Sequence, residues 1–255
     1  MLSQISIETL EHYFYKRRVQ DRISISTLRH EHIAFGKIYN YAIKYRFANS
    51  NKINKLSKPV IQTNYTSSYF LRPADIATLI NNCSEYLGEI ITILYHTGMR
   101  KAELSNLRPE DIDLKENLIF IQPHEDWGPK NNKSRVIPID NIIRKLLKKK
   151  INHMTSGQVF IFTSTNGHKA YHFHKSINNL FKRTGIYDKI PNNVKKGVHF
   201  LRHSFCSYLV NDLKIPLPVV QELMGHSDIK TTMKYIHTTH KHKFDAIKKF
   251  EDNIC

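Results

Sequence analysis

The spacing of apolar residues changes character along the chain, and each change marks an element. Near the N-terminus, Leu28, His32, Phe35, Tyr39 and Ala42 recur at i, i+4, i+7, i+11 and i+14, the stripe of an amphipathic helix. Ser26 stands where it can cap that helix, and Ser6 can cap an earlier one over Ile7–Arg18. Periodicity then fades over residues 47–68, which are rich in Asn, Ser, Thr and Lys and include Pro59, so a linker is expected there.

Beyond the linker, Pro73 occupies a first helical position, and helices are predicted near 73–82, 87–96 and 100–107. The pattern turns strand-like over Asn117–Gln122 and Arg135–Ile139, with polar His124–Ser134, containing Gly128, as the hairpin loop between them. A helix near 141–150 and a short strand near 158–162 follow, and from 172 onward the pattern is helical again. The expected class is α+β, mainly α-helical with a small antiparallel sheet. The expected division is a short helical module over 1–65 and a larger domain over 66–255 that ends in a tail helix. No internal repeat or low-complexity tract interrupts it.

Charge narrows the partner. The 255 residues are 40% apolar, enough to bury a core, yet 39 Lys and Arg face only 22 Asp and Glu, a net charge of +17. That exceeds the roughly 2–8 units that solubility asks of a small domain and points to a polyanion, nucleic acid first. Residues 1–65 hold 11 Lys and Arg against 4 Asp and Glu, as expected of a helical module that grips phosphates. No apolar run approaches the ~18–20 residues of a membrane span. No basic amphipathic helix carries Trp or Phe anchors for a membrane surface. Met1–Ile7 lacks the pattern of a signal peptide. Cys83, Cys206 and Cys255 are too scattered for a disulfide framework or a zinc site, which fits a cytoplasmic protein. His199 and His203 form an H-x-x-x-H pair, but Phe200 fills the position where a zincin has its glutamate. His237, His240 and His242 have no acidic residue among them, so no metal and no cofactor is expected.

Four stretches carry candidate chemistry. In Thr97-Gly98-Met99-Arg100-Lys101-Ala102-Glu103, Gly98 ends one helix, Arg100 opens the next, and Glu103 lies one turn on, where its carboxylate can orient the guanidinium. Taken alone this is equally a surface ion pair of a few tenths of a kcal/mol. Lys130 and Lys133 lie at a basic hairpin tip that can reach a phosphate or simply be solvated. His199 and Arg202 sit at i, i+3 on one helical face and can share a tetrahedral oxyanion. Finally, Pro218 can start a helix that Gly225 ends, with His226 just past it; Asp228 can cap the next helix, expected to carry Tyr235.

The order of these residues resembles the tyrosine recombinase (phage integrase) family over about residues 70–240. By that resemblance Arg100, Lys130, His199, Arg202, His226 and Tyr235 are the catalytic set, with Tyr235 the nucleophile and Glu103 the acidic residue supporting the first arginine. Lys133 shares the hairpin, and the family's spacing before the Val-Ile-Pro run favours Lys130. By the same resemblance the N-terminal module is expected to be shorter than the family's usual core-binding domain, with no arm-binding domain expected before it. The resemblance implies site-specific cleavage and rejoining of double-stranded DNA through a 3′-phosphotyrosyl intermediate, without ATP. Two guanidiniums take the electrostatic role that a divalent ion fills elsewhere. Phe244, Ile247 and Phe250 form one apolar stripe on the tail, which can fold back on its own domain or, as the resemblance implies, dock on a neighbour in a tetramer on two duplexes, although a free monomer is compatible with the sequence. The competing readings are a type IB topoisomerase-like nicking enzyme and a truncated or domesticated DNA-binding regulator without strand exchange. All six reacting positions being filled speaks against the second.

Overall fold

Two serines open the first two helices of the structure, a computed structural model that describes residues 2–60, 69–130, 133–164, 169–170, 172–192, 194–236, 248 and 251. Ser6 caps α1 (Ile7–Val19), its hydroxyl accepting from the Thr9 amide at 3.1 Å. Helix α2 (Ile25–Lys44) begins earlier than the sequence suggested, capped by Ser24 and not Ser26. Ser24 is extended and its hydroxyl reaches the Thr27 amide at 3.1 Å, whereas Ser26 already lies inside the helix and cannot cap it. Leu28, His32, Tyr39 and Ala42 of the expected stripe are buried and Phe35 packs at its edge.

The chain divides into two compact units, Met1–Asn64 and Tyr65–Cys255. The first has a small core of Leu10, Tyr39, Ala42, Ala48 and Ile53. Ala48 and Ile53 come from the stretch expected to be linker, so residues 47–56 are a folded part of this unit. A short 3₁₀ turn over Lys52–Lys55, capped by Asn51, turns Ile53 inward. The remainder of that stretch, residues 61–68, falls outside the described residues, as do His237, His240, His242 and the tail positions Phe244, Ile247 and Phe250.

The second unit is built on α4 (Glu85–Thr97), whose Ile90, Ile91, Ile93 and Leu94 are all fully buried. A helix apolar on nearly every side belongs in the middle of a fold, and α3 (Pro73–Asn81) and α9 (Val198–Ser207) pack against it. After α5 (Lys101–Ser105) come three short antiparallel strands, β1 (Ile112–Asp113), β2 (Leu118–Ile121) and β3 (Arg135–Pro138), in that order. Ile119 pairs with Ile137 and Ile121 with Arg135. Strand β1 is an addition to the expected hairpin. Helices α6 (Asn141–Asn152), α7 (Phe173–Arg183) and α8 (Ile186–Lys189) complete the shell around the core. The fold is thus mainly helical with a small antiparallel sheet. The strand expected near 158–162 does not form. Ile161 and Phe162 are buried, but their backbones make single bonds to Leu107 and Ala170 and join no ladder among the described residues.

Helix α9 runs on into a π-helical turn, Tyr208–Asp212, followed by α10 (Leu217–Met224) and α11 (Ile229–Met233). Tyr235 lies just beyond α11 and not on it, because the helix ends at Met233. Among the described residues no helix is long and apolar enough to cross a membrane.

Gly98 fixes how α4 hands over to α5. Its φ is +61°, and a Cβ there would lie 2.4 Å from the Phe205 ring. Gly98→Ala therefore combines left-handed strain, about 1–2 kcal/mol, with a collision against the partly buried Phe205 ring. A drop of at least that size in the urea unfolding free energy is expected. A variant as stable as the parent would contradict this packing.

Candidate active site

The site is assembled around the C-terminal end of α10. The last carbonyls of a helix have no partner within it and carry the negative end of its dipole. Here three of them are taken by three different arginines. Leu223 O accepts from Arg135 Nε at 3.0 Å, Met224 O from Arg202 Nη2, and Gly225 O from Arg100 Nη2 at 3.2 Å. Arg202 also donates through Nη1 to Gly98 O at 2.5 Å, tying the end of α4 to the end of α10. Gly98 and Gly225, the expected helix stops, both adopt the left-handed conformation.

Glu103 is the anionic hub of this cluster and is 2% exposed. It reaches back to the Arg100 amide at 2.7 Å, the return bond of a capping box, and accepts from Arg100 Nη1 at 2.8 Å. Arg135 grips both carboxylate oxygens, at 2.8 and 2.7 Å. Burial by itself would raise the Glu103 pKa; the Arg135 hydrogen bonds and charge, helped by Arg100, bring it down to about 2. The sequence pointed to the Arg100–Glu103 pair but not to Arg135.

His199 and Arg202 share α9, as their spacing requires. Arg100, Lys101, Lys195, Lys196, His199 and Arg202 line a cleft of about 500 Å³, a wall of positive charge. Arg202 is 3% exposed, and burial, then the neighbouring Arg100, lowers its pKa to about 10, leaving it charged at neutral pH. The cleft walls, followed by Arg202, Lys195 and Arg100, lower the His199 pKa, although its ring stays accessible.

Tyr235 is 9% exposed, with its ring stacked on His226 at 6.1 Å and met edge-on by His203 at 5.0 Å. Its carbonyl accepts from Asn211 Nδ2 at 2.8 Å, and Asn211 is placed there by the π-helical turn. Burial, then Cys206, raises the phenol to about 12 against the opposing pull of Arg202 and Arg100. His226 pairs through Nδ1 with buried Thr232 at 3.0 Å; burial and then Arg202 and Arg100 push its pKa down to about 4. Both imidazoles are thereby held neutral near pH 7.

Arg100, Glu103, His199, Arg202, His226 and Tyr235 thus come together. Lys130 does not join them: it and Lys133 stand exposed on the β2–β3 hairpin, outside the site's hydrogen bonds, while Asn131 and Asn132 lie outside the described residues. Arg135, Asn211 and Thr232 are the members that sequence reasoning missed. For Arg135 a signal existed, since strand alternation puts it on the same face as buried Ile137.

The depressed Glu103 pKa contributes stability that is present above its ordinary value of 4.5 and lost as pH falls toward about 2. Glu103→Gln is expected to cost ~3–5 kcal/mol at pH 7, the scale for breaking a buried ion pair. It should also flatten the stability loss between pH 4.5 and 2, followed by circular dichroism in urea. An unchanged acid limb in the variant would contradict the hub.

Residues 69–242 match the family model described as "Phage integrase family". A tyrosine recombinase of Thermosipho africanus is 32% identical over 225 residues, covering 85% of this chain and 73% of the relative. The fold resembles the Tn1549 transposon integrase solved in complex with a circular intermediate DNA, with a TM-score of 0.77 at 18% identity, covering 97% of this chain and 86% of that one. It also resembles the XerH site-specific recombinase bound to difH substrate, with a TM-score of 0.70 at 20% identity, covering 97% and 71%. With its family match spanning most of the larger unit, the chain belongs to the phage integrase family of tyrosine recombinases.

Proposed function

We propose that this site-specific DNA recombinase cuts and rejoins its substrate with Tyr235 as nucleophile, in a phosphate site made by Arg100 and Arg202. The observation that carries this reading is the convergence of both guanidiniums with the His226 imidazole and the Tyr235 phenol around the end of α10, with His199 lining the same cleft as the two arginines.

The Tyr235 Oη attacks the phosphorus of a DNA phosphodiester and the bond to the 5′ oxygen breaks. A phenol raised to about 12 is protonated at pH 7, so its proton must leave as the new bond forms. His199, neutral and accessible, is the acceptor. Arg100 and Arg202 each retain N–H groups beyond those spent on carbonyls and Glu103, and these meet the non-bridging oxygens as they gain charge. His226 donates to the same phosphate through the nitrogen not facing Thr232. The leaving 5′-hydroxyl needs a proton, which Lys130 supplies from the hairpin. Attack of a partner strand's 5′-hydroxyl on the phosphotyrosine releases Tyr235 and reseals the backbone. The bond count is conserved, so no nucleotide triphosphate is consumed.

The larger unit is read as the catalytic domain and residues 1–65, dense in positive charge, as a second grip on the duplex. Exchange between two duplexes needs paired active sites, so a tetramer on DNA is proposed, with the tail helix as the docking element. A cytoplasmic, DNA-associated location goes with this substrate. A DNA-binding accessory role without cleavage is disfavoured by a chain in which every reacting residue type is present and all but the hairpin lysine are gathered at one place.

Incubation with nicked suicide duplexes from the protein's own genetic neighbourhood, in EDTA, tests the assignment on denaturing gels. The parent is expected to form a covalent adduct. Tyr235→Phe should bind DNA but form none, and Arg100→Ala should slow cleavage by ~10²–10³-fold, the scale for a lost oxyanion donor. Adduct formation by Tyr235→Phe, or parent-like cleavage by Arg100→Ala, would overturn the assigned roles.

A further inference from the structure

We infer that Arg135, the first residue of β3, is a positioning residue for the cleavage reaction, acting through Glu103 on Arg100 and through the strand on the hairpin that carries Lys130. The inference rests on the reading of Arg100 as a phosphate clamp.

Geometry carries the argument. The Arg135 side chain is 5% exposed, although its strand is short and its neighbour Val136 is 42% exposed. It makes three hydrogen bonds to two segments distant in sequence, two to Glu103 and one to Leu223 O. Gly225 leaves room for it, because a Cβ there would stand 2.9 Å from Arg135 Cδ. Both the left-handed turn and the Arg135 side chain therefore call for glycine at that position.

The charge count gives this arrangement a consequence. A buried Glu103 facing Arg100 alone would neutralise it and bend its donors toward the carboxylate. With Arg135 gripping both oxygens, two guanidiniums share one carboxylate and the trio keeps a net positive charge. Arg100 then meets an incoming phosphate with its field only partly compensated. Arg135 also anchors one stem of the hairpin against α10, so the reach of Lys130 is measured from a fixed point. A bidentate fork with a third bond from Nε is something lysine cannot reproduce.

The test uses the full chain carrying Arg135→Lys and Arg135→Gln. Thermal melting, DNA affinity with its salt dependence, and single-turnover cleavage of a saturating nicked duplex are measured for each, the last from pH 5 to 9. Arg135 does not line the basic cleft and is bonded instead to Glu103 and Leu223 O, so affinity and salt slope should match the parent. The cleavage rate at pH 8 should fall by ~10–100-fold, the scale of a slight misplacement of reacting groups. A further loss should appear as pH drops toward 5. Without Arg135, burial raises the Glu103 pKa against Arg100 on its own helix, Arg202 from α9 and the neutral His226 beyond α10. Adding Glu103→Gln to Arg135→Gln should remove that acid limb while the rate stays low.

Parent-like rates and pH profiles in folded Arg135→Lys would overturn the inference. So would a rate loss that merely tracks unfolding and recovers when the variant is cooled. Failure of the underlying reading is separately visible: the parent, or Arg100→Ala, would then break the expected pattern with Arg135 intact, and the inference would fall with it.

Discussion

Three arginines closing the end of one short helix are what the active site depends on. Helix α10 leaves the carbonyls of Leu223, Met224 and Gly225 to be satisfied from outside, and Arg135, Arg202 and Arg100 each take one. A buried guanidinium is costly unless it is hydrogen-bonded and its charge is offset. The helix end supplies acceptors and a negative dipole, and Glu103 supplies the counter-charge. Residues from α4, α5, β3, α9 and α10 are thereby locked at one point, and three guanidiniums share a single carboxylate, which leaves the positive charge that the proposed phosphate site calls for.

The same electrostatics set the protonation states of the reacting groups. Burial beside positive charge keeps His199 and His226 neutral, and burial keeps the Tyr235 phenol protonated despite those charges. The proposed nucleophile, Tyr235, and the proposed proton acceptor, His199, are thus in the protonation states that the proposed reaction starts from near neutral pH. The arginines favour the phenolate and disfavour the imidazolium, and the negative charge of a bound phosphate pushes in the opposite direction on both. The buried setting of Tyr235, held through its carbonyl by Asn211 and flanked by two imidazole rings, ties this residue to α9 and its π-helical turn.

What was legible in the sequence was what is local. The Ser6 cap, the α2 stripe, the glycine stops at 98 and 225, the Arg100–Glu103 turn and the His199–Arg202 spacing all depend on neighbours a few residues away. What escaped depends on distant partners. Arg135 meets Glu103 across 32 residues and Leu223 across 88, and neither spacing has a periodicity to reveal it. The linker reading failed at Ala48 and Ile53, because a polar-looking segment needs only two inward apolar side chains to join a small core. The strand reading at 158–162 failed because a short apolar run is buried equally well without a ladder partner. Tyr235 was expected on a helix because Asp228 does cap one, but α11 stops at Met233.

The central claim is that the strand-breaking bond is made by Tyr235, and peptide mapping of the trapped complex tests it most directly. Covalent protein–DNA adduct from a suicide duplex would be digested with nuclease and protease, and the nucleotide-bearing peptide sequenced by mass spectrometry. A single modified peptide with the phosphonucleotide on Tyr235 is the expected result. Modification of any other residue, or an adduct that persists with Tyr235 unmodified, would contradict it.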